Sequence, residues 1–131
     1  MDTNNSNTLP SITYDSVYHL IENSLSNNTT LRTTSEQQLM TLINSNKTKL
    51  IQMLFNILTQ QQQQTSTHIT QMTAVLIKNI LMKNKTWFTF TISFQQEILS
   101  SLYAFIRGSS LDSEVNKHSC IILAYIAYIE Y

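Results

Sequence analysis

The sequence predicts an all-α fold, with helical hairpins stacked side by side as an α-solenoid. Three observations carry that expectation. One Gly and one Pro stand among 131 residues, and sheet proteins consume both in tight turns. Apolar residues recur at three- and four-residue intervals along most of the chain, which is the period of a helix with one buried face. The segments so defined fall into consecutive pairs of about 35–45 residues, the length of one α-solenoid unit.

Residues 1–12 are polar and are expected to be disordered. The first helix starts after Thr13, a good N-cap, and carries Tyr14, Val17, Tyr18, Ile21 and Leu25 on one face. "SNNTT" breaks the pattern. A second helix over 30–45 places Leu31, Ser35, Leu39, Leu42 and Ile43 on one stripe, and "NSN" at 44–46 interrupts it. The third, over 47–60, has Leu50, Ile51, Leu54, Phe55, Ile57 and Leu58. "QQQQQ" at 60–64 reads as a surface connector. The fourth helix, 66–85, is apolar nearly all round, with Ile69, Met72, Val75, Leu76, Ile77, Ile80 and Leu81. It therefore has to be covered on more than one side. "WFTFTISF" at 87–94 alternates like a strand but has no partner strand, so an extended connector is expected. The fifth helix, 94–107, carries Phe94, Ile98, Leu102, Phe105 and Ile106, and Arg107-Gly108 is a fitting stop. The sixth, opened by Asp112 and Glu114, carries Val115, Ser119, Ile122, Ile126 and Ile129.

These pairs suggest three HEAT-like helical hairpins, 13–45, 47–86 and 93–131, forming an armadillo-type right-handed superhelical fragment. The apolar pattern runs to Tyr131 without the polar outer face that terminal solenoid units carry. This predicts a fragment from the N-terminus of a longer chain, or a partner over the end.

Composition narrows the function. Eight basic and eight acidic residues balance to zero, so no basic footprint for nucleic acid is present. The longest apolar run, Cys120 to Ile129, is too short to span a bilayer, and the N-terminus has no signal-peptide pattern. Cys120 is the only cysteine, which excludes an internal disulfide and suggests an intracellular setting. His19, His68 and His118 are scattered over three helices, and His118-x-Cys120 lacks further ligands at metal spacing. With one Gly there is no phosphate-cradling loop. A binding protein is expected, without catalytic residues, metal or cofactor.

Three stretches, in order, resemble the N-terminal domain of the importin-β (karyopherin-β) nuclear transport receptors. "LRTTSEQQLMTL" is similar to that family's Arg-x-x-Ala-Glu-x-x-Leu segment through Arg32, Glu36 and Leu39, with Ser35 in the place of Ala. "AVLIKNILMKNKTW" resembles its Leu-Lys-Asn segment followed by Trp, through Lys78, Asn79 and Trp87. "LAYIAYIEY" resembles its Ile-Ala-x-x-acid segment through Ile126, Ala127 and Glu130. The likeness spans 14–131. Thr70, where an Arg is frequent, the polyglutamine stretch and the Phe-rich connector depart from it.

The resemblance implies the Ran-binding end of a HEAT-repeat receptor. It implies Ran-GTP as partner, transport cargo or an adaptor elsewhere on a full-length chain, contact with nuclear pore proteins, and residence in cytoplasm, nucleus and nuclear envelope. Glu36, Gln37, Lys78 and Lys83 are its Ran-binding candidates, with Lys85 beside them as a further cation. Arg32, Asn79 and Trp87 are its structural motif. Asn79 is expected to be buried and hydrogen-bonded, Lys78 to lay its stem on apolar surface, and Trp87 to plug the junction of the second and third hairpins with its indole N–H on a partner. Arg32 and Glu36, four residues apart, are placed to pair along their helix. Two other readings fit the same pattern: a HEAT scaffold that binds proteins without Ran, and a compact six-helix bundle or enzyme accessory domain.

Overall fold

The computed structural model describes residues 12–60, 67–83, 85–107 and 113–130. Among them it is all-α: α1 Tyr14–Ser24, α2 Thr29–Ser45, α3 Lys47–Thr59, α4 Thr67–Leu81, a 3₁₀ helix Thr86–Thr89, α5 Ile92–Arg107 and α6 Ser113–Glu130. Readings of the N-terminal stretch up to residue 11, most of the glutamine run, Gly108, Asp112 and Tyr131 lie outside the described residues.

Local chemistry sets the helix ends. Thr13 and Ser16 cap each other reciprocally at α1: each backbone N–H donates to the other's hydroxyl. Asn28 caps α2, its side-chain oxygen accepting from the Leu31 N–H. Asn46 serves two helices. Its N–H donates to the Leu42 carbonyl to close α2, while its side-chain oxygen accepts from the Lys49 N–H to open α3. The "NSN" break is therefore one residue wide. At α5 the Thr91 hydroxyl accepts from the Phe94 N–H, so the helix starts two residues earlier than its apolar stripe indicates.

The chain forms two compact units, Met1–Met53 and Leu54–Tyr131, with the boundary inside α3. In the first unit α1 and α2 pack as a hairpin. Val17, Leu20, Ile21, Leu39 and Leu42 are buried there, whereas Leu25 and Leu31 from the anticipated stripes are exposed. Ser35 is buried in the position matched to Ala. In the second unit α6 packs against both α4 and α5. Its core contains Ile77, Ile80, Ile98, Leu102, Ile122 and Ile126. Phe55 of α3 stacks on Phe105 of α5, ring centres 5.8 Å apart.

Three buried hydroxyls are satisfied within their own helices. Thr73 donates to the Ile69 carbonyl, Ser119 to Val115 and Ser24 to Ile21. This back-bonding explains how Ser and Thr occupy buried stripe positions without an unpaired polar group. No helix among the described residues is long and apolar enough to cross a membrane.

Candidate functional site

The segment between α4 and α5 organises the second unit. The expected extended connector is instead a 3₁₀ helix, Thr86–Thr89, followed by extended backbone at Phe90. Its alternating pattern does not need a partner strand, because alternate rings are sorted by burial. Trp87 and Phe90 point inward, whereas Phe88 is exposed. Phe90 meets Phe94 edge to face with ring centres 5.1 Å apart. Lys85 enters this turn at φ 56°, the one positive φ at a non-Gly residue among the described residues.

Trp87 is buried and its indole N–H donates to Glu130 Oε2 at 2.7 Å. The amide of Gln95 in α5 donates to the Trp87 carbonyl at 2.8 Å. The Thr89 hydroxyl closes the turn on the Thr86 carbonyl. One aromatic residue thereby connects the 3₁₀ helix, α5 and the last turn of α6. Trp87 is buried and its indole N–H has a partner, as anticipated, but both bonds run to the third hairpin, and the indole's partner is the acidic residue of the third family-like stretch.

The other singled-out residues fare differently. Asn79 is exposed, which corrects its expected burial. It lies two residues beyond Ile77, roughly 200° round the helix from that buried side chain. Lys78 is half-buried, as expected for a stem lying on apolar surface, and its charge reaches His118 of α6. Lys83 is exposed. Arg32 does not pair with Glu36: its guanidinium donates to the Ser26 carbonyl at 3.3 Å and secures the turn before α2. Glu36 and Gln37 are exposed on α2. Thus Lys78, Lys83 and Trp87 belong to the second unit, and Arg32, Glu36 and Gln37 to the first.

Met72, Val75 and Leu76 of α4 are half-buried, and Ile69, Thr70, Thr73, Ala74, Ile77, Ile80 and Leu81 are buried. Thr70, which departs from the family-like pattern, is thus a buried residue of that face. His118, given no role by metal-ligand spacing, lies beside the core. The His118 Nδ1 is buried without a hydrogen-bond partner, and its Nε2 lies 3.9 Å from Glu114. It borders a void of about 10 Å³ shared with Ile77, Leu102, Phe105 and Ile122. Burial and the nearby Lys78 hold the His118 pKa below its usual value. Among the described residues no three of His, Cys, Asp and Glu gather as a metal would require.

No family model, curated protein or solved structure matches the chain.

Proposed function

We propose that the chain is a helical-hairpin binding module of the importin-β type, acting by association with the GTP form of Ran and not by catalysis. The observation that carries this reading is the Trp87–Glu130 bond. Two residues matched in separate family-like stretches, 43 positions apart, meet in one contact. In this reading Trp87 and Glu130 hold the architecture, and Arg32 secures the turn that leads into α2. Lys78 and Lys83 supply cations for an acidic surface of Ran, with Glu36 and Gln37 as polar contacts from α2. Asn79, being exposed, joins the surface residues. Cargo or an adaptor and pore proteins would engage a full-length receptor that works between cytoplasm and nucleus.

The nucleotide state of Ran is the deciding variable, because a switch requires differential affinity for two states. The test is a calorimetric titration of the chain with Ran loaded with GDP or with a non-hydrolysable GTP analogue. Tighter binding of the GTP form is expected. Lys78→Glu should weaken that binding by about tenfold, as loss and reversal of one interfacial charge does. Lys78→Met, which keeps the apolar stem, should weaken it less, with helicity unchanged in both variants. Equal affinity for the two forms, or none for either, overturns the reading and leaves a protein-binding scaffold independent of Ran.

A further inference from the structure

A groove of about 610 Å³ opens between the 3₁₀ helix and the end of α6, walled by Lys85, Phe88, Tyr125, Ala127, Tyr128 and Ile129. Its walls are unusual for a free surface. Phe88 is 51% exposed and Tyr128 is 82% exposed, so two large rings stand open to water at the same mouth. Tyr and Phe in such settings supply contact area at low entropic cost and are enriched where proteins bind one another. The backbone that carries Phe88 is held in place next to it, since the Trp87 indole is bonded to Glu130 and the Trp87 carbonyl to Gln95. A preformed wall loses little freedom on binding.

Lys85 is the single charged residue in the lining. No carboxylate of the described residues pairs with it. Glu130, close in sequence to the α6 wall, is bonded to the Trp87 indole instead. Lys85 also holds a left-handed backbone conformation that a long side chain adopts rarely. An apolar trough with one uncompensated cation at its edge selects an occupant with the opposite pattern.

We propose that this groove is a docking site for a short segment of a partner protein that carries an acidic residue next to aliphatic side chains. The aliphatic groups lie against Phe88, Tyr125 and Tyr128, and the carboxylate meets the Lys85 ammonium. Of its lining only Lys85 stands beside the Ran-binding candidates, and Phe88, Tyr125, Ala127, Tyr128 and Ile129 have no part in the Ran reading.

The experiment is a ¹⁵N NMR titration of the chain with two probe peptides, acetyl-Ser-Asp-Leu-Leu-Ser-amide and its Asn-for-Asp counterpart. Saturable shifts centred on Lys85, Phe88 and Tyr128 are expected for the Asp peptide, with binding several-fold weaker for the Asn peptide. Lys85→Asn removes the cation while tolerating the positive φ, since Asn enters that region readily. It should cost the Asp peptide several-fold in affinity and abolish its preference over the Asn peptide. Tyr128→Ala, at an exposed position, should weaken both peptides by about tenfold, the loss typical of an aromatic anchor. Non-saturating shifts, shifts centred elsewhere, or equal affinity for the two peptides overturn the proposal.

Discussion

At the residue scale, His118 is the side chain whose environment has the clearest consequence. Its Nδ1 is buried without a partner, so a proton placed there would be a buried donor with nothing to accept it. The charged groups that face it are Lys78 from α4 and Glu114 and Lys117 from α6, while α3 and α5 present Phe55, Leu58, Leu102 and Phe105 to the same void. Burial is the largest influence and Lys78 the next. Both disfavour the imidazolium, and Glu114 opposes them. The sign follows directly. A folded-state pKa below the unfolded value means that the unfolded chain binds more protons in that range. Stability from His118 is therefore complete above its unfolded pKa of about 6.5 and declines as pH falls below it. Urea midpoints measured at about pH 8 and about pH 5 should differ, and His118→Gln should shrink that difference. An unchanged difference would assign the acid sensitivity to other groups.

Between elements, the Trp87–Glu130 bond fastens the 3₁₀ helix to the last turn of α6. Removing the acceptor leaves a buried indole N–H unsatisfied, which costs about 1–3 kcal/mol. Glu130→Ala should therefore lower the stability of the second unit by that amount, read from hydrogen exchange at α6 and the 3₁₀ helix. Glu130→Gln keeps an acceptor oxygen and should retain most of it. Equal losses in the two variants would mean that charge, not the hydrogen bond, holds the contact. The six helices were legible because periodicity reports which face is buried. The stripes Val115–Ser119–Ile122–Ile126 and Phe94–Ile98–Leu102–Phe105 emerge buried. Their ends were less legible, because a cap is a one-residue event: Asn46 ends one helix and begins the next. The 87–94 stretch misled because alternation is shared by a strand and by a 3₁₀ turn that buries Trp87 and Phe90 and leaves Phe88 out. Asn79 misled because a polar residue amid apolar neighbours invites a buried role, yet its angular position on α4 turns it outward. The Lys85 groove gave no linear signal, since residues of the 3₁₀ segment and of α6, about 40 positions apart, meet only in the fold.

At the scale of the whole molecule, charge and exposed apolar surface act together. Basic and acidic residues number eight each, and the pI is about 6.8. Near that pH no net repulsion keeps copies apart. Phe88, Ile92, Tyr103 and Tyr128 are all more than half exposed, so short-range apolar attraction is left unopposed in the same range. Self-association should therefore peak near neutral pH and fall on either side as the chain acquires charge. Static light scattering across that range should give its lowest second virial coefficient close to the pI. Tyr128→Lys should raise the coefficient at neutral pH by removing an exposed ring and adding a charge. Ser93→Lys, which adds the same charge at an exposed position and spares the rings, separates the two contributions. If both variants raise it equally, charge alone governs the association. If Tyr128→Lys raises it more, the rings of the 3₁₀–α6 groove are the adhesive surface, in line with their assignment as a docking site.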